Sequence, residues 1–258
     1  MRHRARKRFG QNFLTDAATI AAIVAAIRPL RGERMVEIGP GLAALTRPLL
    51  AAGVRLDAIE IDRDLAGNLR REMGEALALH ETDALKFDFS SLGEDLRVVG
   101  NLPYNISTPL LFHLARYAAS IRDVHVMLQK EVVARMVAAP GGADYGRLSV
   151  MLQYRFAMEK LFDVPASAFR PTPKVESAVV RLAPLRPLPH AARDEALFAR
   201  VVAGAFMQRR KTLRNSLAQF DPLAAFAALG IAPGARAQEL AVSQYVALAN
   251  SLAARAGA

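Results

Sequence analysis

The sequence contains no cysteine, and this absence removes several classes of chemistry at once. It excludes disulfide bonds, zinc sites built on thiolates and a cysteine nucleophile, and it fits a reducing cytosol. Histidine is scarce, and its spacing is unlike that of metal ligands, so we predict no metal site. The five histidines are His3, His80, His113, His125 and His190.

Long apolar segments are also missing, although 52% of the residues are hydrophobic. No apolar run reaches the roughly 18 residues that span a bilayer. The longest candidate, residues 17–27, predicts a buried helix instead. The N-terminus opens on Arg and His rather than on an apolar stretch, so we expect no secretory signal and no membrane segment. We therefore expect a cytoplasmic protein, and a monomer.

The net charge of +10 is concentrated at the two ends of the chain. Residues 1–10 carry five basic residues and no acid, and residues 185–258 carry nine basic and four acidic residues. Residues 11–184 hold 20 of each sign. Because Lys and Arg contacts to phosphate supply most of the non-specific affinity for nucleic acids, this distribution favours a polyanion bound from two sides. Basic tails that are only solvated, or that serve as targeting signals, remain an alternative.

A length of 258 residues allows one α/β domain and a smaller second one. Strand-like and helix-like segments alternate through the first two thirds of the chain, which is typical of parallel βαβ units. The last two strand-like segments lack a long helix between them and predict an antiparallel edge. The expected strands are 34–38, 54–61, 77–81, 98–100, 124–128, 161–164 and 177–182. The expected helices are 42–52, 64–75, 108–119 and 130–138, and a loop is expected at 139–146.

The predicted fold class is therefore α/β, with a doubly wound, mostly parallel sheet of about seven strands. Three prolines between Pro184 and Pro189 stiffen the chain and mark the best linker candidate. Only helical periodicity follows them. We predict a first domain at 1–184, including the basic N-terminal tail, and a small all-α domain at 185–258.

Polar features follow three successive strands of the predicted sheet. Gly39 and Gly41 form a turn between a strand and a helix, where a ligand can approach the backbone. Glu60 ends the second strand, where an acid can bind both hydroxyls of a ribose, and Asp83 follows the third, where it can accept from an adenine amine. Ala43 replaces the third glycine of the dinucleotide fingerprint, which argues against a bound pyrophosphate.

Each feature alone has an ordinary explanation. The glycines could form only a tight turn, Glu60 could be a surface acid, and Asp83 could be a solvated loop acid or a helix cap. Together they converge on one crevice at the carboxyl ends of the strands. The ligand this implies is an adenosine without phosphates, which points to S-adenosylmethionine as the cofactor.

The turn after the fourth strand reads Asn101-Leu102-Pro103-Tyr104 and is the most specific element of the sequence. An exocyclic adenine amine is a poor nucleophile, because its lone pair is delocalised into the ring. The Asn101 side-chain oxygen and the Leu102 carbonyl could accept its hydrogens, Pro103 favours an extended Leu102, and Tyr104 offers a face for a flipped base. We predict these four residues as catalytic, acting mainly by proximity and orientation. A structural turn with Tyr104 as packing is the alternative.

Eight segments, in order along nearly the whole chain, together resemble one known family. They are RKRFGQNFL (6–14), VEIGPGLAALT (36–46), IEID (59–62), GNLPYNISTPLLFHL (100–114), LQKEVVARM (128–136), YGRLSV (145–150), AFRPTPKVESAVVRL (168–182) and QRRKTLRNSL (208–217). The chain resembles the small-subunit (16S) ribosomal RNA adenine dimethyltransferases of the KsgA type. That resemblance implies a Rossmann-like class I methyltransferase with a helical C-terminal domain. It further implies transfer of four methyl groups to two adjacent adenosines near the 3′ end of 16S rRNA, within the assembling small ribosomal subunit.

The resemblance also assigns residues to cofactor and RNA. It implies cofactor contacts at Asn12, Leu14, Gly39, Glu60, Asp83 and Asn101, to which the turn adds Gly41. The basic tail and the QRRKTLRNSL segment, expected to be one helix, would bind the phosphate backbone; a merely solvated helix face is the alternative. The predicted RNA-binding residues are Arg4, Arg6, Lys7, Arg8, Arg209, Arg210, Lys211 and Arg214.

Three other functions stay open from the sequence. Large-subunit rRNA methyltransferases that confer antibiotic resistance share the Asn-Xaa-Pro-Tyr turn, and DNA adenine methyltransferases can use a similar one. A non-catalytic ribosome assembly factor could keep the fold for binding alone. The QRRKTLRNSL segment and the GLAALT turn resemble the small-subunit enzymes more closely.

Overall fold

The structure is a computed structural model that describes residues 11–208 and 210–256. Strands and helices alternate as far as β6 and α5, except that β5 follows β4 with only a short 3-10 turn between them. The strands are β1 (Phe13–Leu14), β2 (Arg34–Ile38), β3 (Arg55–Glu60), β4 (Leu77–Glu81), β5 (Leu96–Asn101), β6 (Ile121–Gln129), β7 (Phe156–Val164), β8 (Phe169–Arg170) and β9 (Ser177–Pro184). The helices are α1 (Ala17–Ile27), α2 (Thr46–Ala51), α3 (Arg63–Met73), α4 (Ser107–Arg116), α5 (Lys130–Val137), α6 (Arg147–Gln153), α7 (Glu195–Phe206), α8 (Leu213–Ser216), α9 (Leu223–Leu229) and α10 (Val242–Ala256).

Seven strands form one sheet in the order β4-β3-β2-β5-β6-β9-β7. The pairings from β4 to β6 are parallel, and β9 runs antiparallel to β6. In the central strand β5 the first five residues are buried, as expected where helices cover a parallel sheet. The predicted α/β class with a seven-stranded, mostly parallel, Rossmann-like sheet is confirmed.

The strand order reverses beside β2, since β3 lies on one side of it and β5 on the other. The register aligns Ile38 of β2 with Ile59 of β3, and Glu37 with Val99 of β5, so the carboxyl ends of the three strands lie side by side. The close spacing of β2 and β5 requires a glycine at position 100, because a Cβ on Gly100 would lie 2.5 Å from the backbone oxygen of Ile38. Open α/β sheets bind ligands in the crevice at such a reversal.

A separate pair of short strands joins the start of the described chain to a segment far along it. Strands β1 and β8 are antiparallel, with Phe13 opposite Arg170 and Leu14 opposite Phe169. Leu14 and Phe169 are both buried in the core of the sheet region. This pairing fixes the segment that precedes α1.

The chain divides into two compact units that do not follow the predicted domains at every point. One unit comprises the chain up to Val133 together with Ala157–Pro184, and the other comprises Ala134–Phe156 together with Leu185 onward. The sequence-based division at Pro184 missed that Ala134–Phe156 belongs with the second unit. The reason is packing, because Tyr145 and Tyr154 are buried in the helical core of that unit.

Several helices differ from their predicted extents. The expected helix 42–52 begins only at Thr46, because Ala43 has a positive φ of 64° and interrupts the helical backbone. Helix α6 was not predicted. Helix α1 spans the predicted 17–27, but only Ile23 and Ile27 are buried, so the prediction of a buried helix was wrong.

Candidate functional site

A cavity of about 270 Å³ lies in the first unit, at the carboxyl ends of β2, β3 and β5. The glycine turn, the two acids, the segment before α1 and the turn after β5 all border it. The predicted residues that line it are Asn12, Gly39, Gly41, Glu60, Asp83, Asn101, Leu102, Pro103 and Tyr104. Leu14 is the exception: it is buried in the core and borders a smaller pocket of about 30 Å³, which shares Gly39, Gly41 and Asn101 with the larger one.

The turn after β2 depends on its glycines. Gly39 and Gly41 have φ values of 68° and 57°, in the left-handed region that glycine adopts without strain. The Gly39 amide donates to the Ile59 carbonyl at 2.9 Å, which ties the turn to β3. A Cβ on Gly41 would lie 3.2 Å from the ring of Phe13. The turn is thus held close to the neighbouring strand and to the segment before α1.

Glu60 is a buried carboxylate held by backbone amides. Its two oxygens accept from the amides of Asp62 at 2.9 Å and Gly41 at 3.2 Å. Burial raises the pKa of Glu60, and these two hydrogen bonds oppose the rise. A carboxylate has about four acceptor positions, so Glu60 keeps capacity for hydroxyl donors. It is therefore not a surface acid.

Asp83 both borders the cavity and closes a local turn. It lines the cavity, and its Oδ1 accepts from the Leu85 amide at 2.9 Å, which closes a turn at the start of the following loop. The second carboxylate oxygen is the one left for a ligand. Among the described residues that line the cavity, two are carboxylates and none is Lys, Arg or His. This lining suits a cofactor without phosphates.

Asn101 is the last residue of β5, and its carboxamide has a defined direction. Its Nδ2 donates to the backbone oxygen of Asn12 at 3.0 Å, which leaves Oδ1 as the acceptor of that side chain. The next residue, Leu102, is buried, and its amide donates to the Met127 carbonyl at 3.1 Å. The Asn101 and Leu102 groups are thus fixed by two separate parts of the chain.

Tyr104 is partly buried at the wall of the cavity. Its hydroxyl forms a hydrogen bond of 2.6 Å with the hydroxyl of Ser177, and its backbone oxygen accepts from the Ser107 hydroxyl at 3.1 Å. Burial raises the pKa of the Tyr104 phenol, and the bond to Ser177 opposes the rise. The phenol is therefore neutral near pH 7.

Sequence reasoning missed two polar residues around the site. Ser177 lies 73 residues after Tyr104, and only the pairing of β9 with β6 brings it near. Glu37 is buried on β2, accepts from the Thr46 hydroxyl at 2.7 Å and borders the smaller pocket. Burial raises the pKa of Glu37 to about 7; the bond to Thr46 opposes this, and the charge of Glu60 adds to it. The one sequence feature that could have identified Glu37 is its position as an acid within an apolar strand.

The cations of the second unit do not lie along one helix, as the sequence had suggested. Helix α7 ends at Phe206, Arg210 and Lys211 lie in the turn that follows, and only Arg214 lies on α8. The prediction of a single helix was wrong because the Lys211 amide bonds to Gln208 in a tight turn. All three side chains are exposed. Arg4, Arg6, Lys7, Arg8 and Arg209 lie outside the described residues.

The described residues contain neither a metal-ligand cluster nor a membrane-spanning helix. Within 11–208 and 210–256, no group of three or more His, Asp or Glu side chains is placed to hold a metal ion. Over the same ranges, every helix is too short or too polar to cross a bilayer.

Known proteins resemble the chain over nearly its full length. A family model for ribosomal RNA adenine dimethylases matches residues 2–254. The ribosomal RNA small subunit methyltransferase A of Aromatoleum aromaticum is 62% identical over 254 residues, covering 98% of this chain and 96% of the relative. The protein of the same name from Thiobacillus denitrificans is 63% identical over 254 residues, covering 98% and 100%.

Two solved structures share the fold. A dimethyladenosine transferase from Plasmodium falciparum has a TM-score of 0.81 at 24% identity, covering 92% of this chain and 95% of that one. The 23S rRNA methyltransferase ErmE has a TM-score of 0.71 at 26% identity, covering 94% and 100%. As the sequence resemblance predicted, the chain belongs to the ribosomal RNA adenine dimethylase family and is an S-adenosylmethionine-dependent RNA methyltransferase.

Proposed function

We propose that the protein dimethylates the 6-amino groups of two adjacent adenosines near the 3′ end of 16S rRNA, late in assembly of the small ribosomal subunit. One observation supports this above all: the Asn101 carboxamide is fixed beside Leu102, Pro103 and Tyr104 at the wall of the cavity that also contains Glu60. The names of the relatives, which specify the small subunit, support the choice of rRNA.

In this proposal, residues at the ends of β2, β3 and β4 would hold the cofactor. Glu60 accepts from the ribose hydroxyls, Asp83 accepts from the adenine amine, and the backbone at Gly39 and Gly41 allows close approach. Asn12 and Asn101 also line the cavity and would contact the cofactor, and Leu14, close to Asn12 in the sequence, packs in the core. S-adenosylmethionine supplies an electrophilic methyl group on a sulfonium.

The chain's own groups prepare the target amine. The Asn101 Oδ1 and the Leu102 carbonyl accept its two hydrogens, which orients the nitrogen and favours a pyramidal, nucleophilic geometry. Tyr104 stacks on the flipped base, a contact that aromatic side chains make with any nucleobase. No side chain has to remove a proton before transfer, because the proton can leave to water afterwards. Catalysis then comes from proximity and orientation.

RNA affinity comes from the exposed cations of the second unit and from the basic tail. Arg210, Lys211 and Arg214 are exposed and close in sequence, as phosphate-binding groups should be. We include Arg4, Arg6, Lys7, Arg8 and Arg209 in this role on their charge alone. The division into a methyltransferase domain and a helical RNA-contacting domain, a monomeric state and action in the cytoplasm belong to the same proposal.

The decisive experiment is mass spectrometry of 16S rRNA from cells with and without the protein, followed by methylation of isolated 30S particles in vitro. We expect dimethyladenosine at two adjacent positions only when the protein is present. Methylation of 23S rRNA or duplex DNA in place of 30S particles would contradict the small-subunit assignment. Particle binding with no methyl transfer would favour an assembly factor without activity.

A further inference from the structure

Ser177 contacts the catalytic turn although it lies outside the cavity lining. Its Oγ is 2.6 Å from the Tyr104 hydroxyl, and Ser177 itself has no exposed surface. The bond joins the turn after β5 to the first residue of β9, across 73 positions of sequence.

The backbone around Ser177 is held from β6 and α5. Ser177 pairs with Gln129 in the register of β6 and β9, and the Lys130 amide donates to the Glu176 carbonyl at 3.0 Å. The Lys130 ammonium also lies 2.8 Å from the Glu176 carboxylate. The serine hydroxyl therefore sits on a backbone with little freedom to move.

Tyr104 is anchored at both ends as a result. Ser107 holds its backbone oxygen and Ser177 holds its hydroxyl, so the outer end of the ring is fixed and rotation about the first side-chain torsion, which would swing the whole ring, is restricted. A serine that only satisfied its own hydrogen bond could have used a backbone carbonyl, as the buried Ser149 of the second unit does with Arg135. Ser177 instead bonds the tip of an aromatic ring at the cavity wall.

We propose that Ser177 is a positioning residue for methyl transfer, which acts by holding in place the Tyr104 ring on which the target adenine stacks. This inference rests on the proposed function. A ring held in one orientation presents the amine in line with the methyl group more often than a ring that rotates, and catalysis by orientation is sensitive to displacements of about 1 Å. The RNA cations and the cofactor groups are unaffected by this bond.

The test is a double-mutant cycle with Ser177→Ala and Tyr104→Phe, measured on 30S particles. Each single variant removes the same hydrogen bond, so each should lower kcat about tenfold, equivalent to ~1.4 kcal/mol. KM for the particle and the affinity for S-adenosylmethionine should change less than about twofold, because their binding groups remain. The double variant should be no slower than either single variant.

Ser149→Ala is the matched control, since it removes another buried serine hydroxyl. It should lower the melting temperature while kcat per folded molecule stays at the wild-type value. If Ser177→Ala lowered kcat by the same factor in the wild-type and Tyr104→Phe backgrounds, the inference would be overturned and the proposed function would stand. If Ser177→Ala did not fold, Tyr104→Phe alone would provide the test, because it removes the other partner of the same hydrogen bond. An unchanged kcat in Tyr104→Phe would then overturn the inference. A wild-type protein that methylated no adenosine would remove the proposed function and this inference with it.

Discussion

The side-chain nitrogen of Asn101 donates a hydrogen bond of 3.0 Å to the backbone oxygen of Asn12, 89 residues earlier. This bond fixes the orientation of the carboxamide, with its nitrogen directed at the backbone of Asn12. The nitrogen is engaged, so the oxygen is the end that remains for the target amine in the proposed function. The same bond joins the turn after β5 to the segment before α1, and both border the cavity of about 270 Å³.

Asn101→Ala should reduce methyl transfer by roughly 10²-fold or more, as removal of one preorganised hydrogen-bonding group does in other enzymes. Affinity for 30S particles should stay within about twofold, because the basic residues are unchanged. Single-turnover methylation and particle binding measure the two effects separately. Asn101→Asp tests the direction of the amide: it keeps an acceptor for the amine but loses the bond to Asn12. Loss of particle binding in Asn101→Ala would contradict the role.

Glu60→Gln should weaken binding of S-adenosylmethionine by about 10- to 100-fold, the range for hydrogen bonds to a charged group. The amide keeps one oxygen for the Gly41 amide but cannot accept from both ribose hydroxyls as well. Calorimetric titration with the cofactor measures the change. Glu81→Gln is the matched control, since Glu81 ends the neighbouring strand β4 and pairs with Arg70 at the surface. Equal affinity of the Glu60→Gln and Glu81→Gln variants would rule out the ribose contact.

Glu37 predicts a dependence of stability on pH. Burial raises its pKa from 4.5 to about 7 in the folded protein, so the folded state holds a proton that the unfolded state releases. The free energy of unfolding therefore falls as pH rises from about 4.5 to about 7. Glu37→Gln removes this pH dependence, because the amide does not titrate. The free energy of unfolding of the variant, relative to that of the wild type, should therefore increase by about 2–3 kcal/mol between pH 5 and pH 8. Denaturant unfolding at both pH values measures it.

The control for this experiment is Glu94→Gln, which removes an exposed carboxylate from the same unit. Its effect on the free energy of unfolding should be small at both pH values. If the difference in the free energy of unfolding between Glu37→Gln and the wild type were the same at pH 5 and pH 8, Glu37 would release its proton at its ordinary pKa.

Lys211→Ala should weaken binding to 30S particles and lower the slope of log affinity against log salt concentration by about 1, the change expected for one phosphate contact. Filter binding between 50 and 300 mM salt, a range of ~0.8 log units, resolves such a change. Arg55→Ala, at the exposed start of β3 in the other unit, should leave the slope unchanged. An identical slope for Lys211→Ala and the wild type would remove Lys211 from the RNA-binding surface.

Gly100→Ala should destabilise the protein by about 1–3 kcal/mol, the range for forced overpacking, because the new Cβ would collide with the Ile38 carbonyl. Gly67→Ala is the control, since Gly67 lies within α3 and its nearest neighbour to a new Cβ is 3.7 Å away. That variant should be neutral or more stable by up to ~1 kcal/mol, owing to the higher helix propensity of alanine. Thermal unfolding compares the two, and a melting temperature for Gly100→Ala equal to the wild type would show that β2 and β5 can separate.

The sheet and most of the cavity could be predicted because their signals are local. Gly39, Glu60 and Asp83 each follow a strand-like run, and parallel strands bring their ends together by a general rule. The bond between Tyr104 and Ser177 has no local signal, since it depends on the pairing of β6 with β9.

The errors have similar causes. Ala43 looks like a helical residue in sequence, but tertiary packing holds it at a positive φ and delays the start of α2. The turn at Gln208–Lys211 contains no glycine or proline that would mark the end of α7. Membership of Ala134–Phe156 in the second unit depends on burial of Tyr145 and Tyr154, which periodicity within a short segment does not reveal.

The pairing of β1 with β8 has a consequence for the order in which the protein can be completed during its own synthesis. Phe13 and Leu14 leave the ribosome early, but their partners Arg170 and Phe169 are made more than 150 residues later. A nascent chain that ends before Phe169 has no strand to hold the segment containing Asn12. The hydrogen bond from Asn101 to Asn12 can form earlier, but the strand pairing that secures this wall of the cavity waits until most of the first unit has been made.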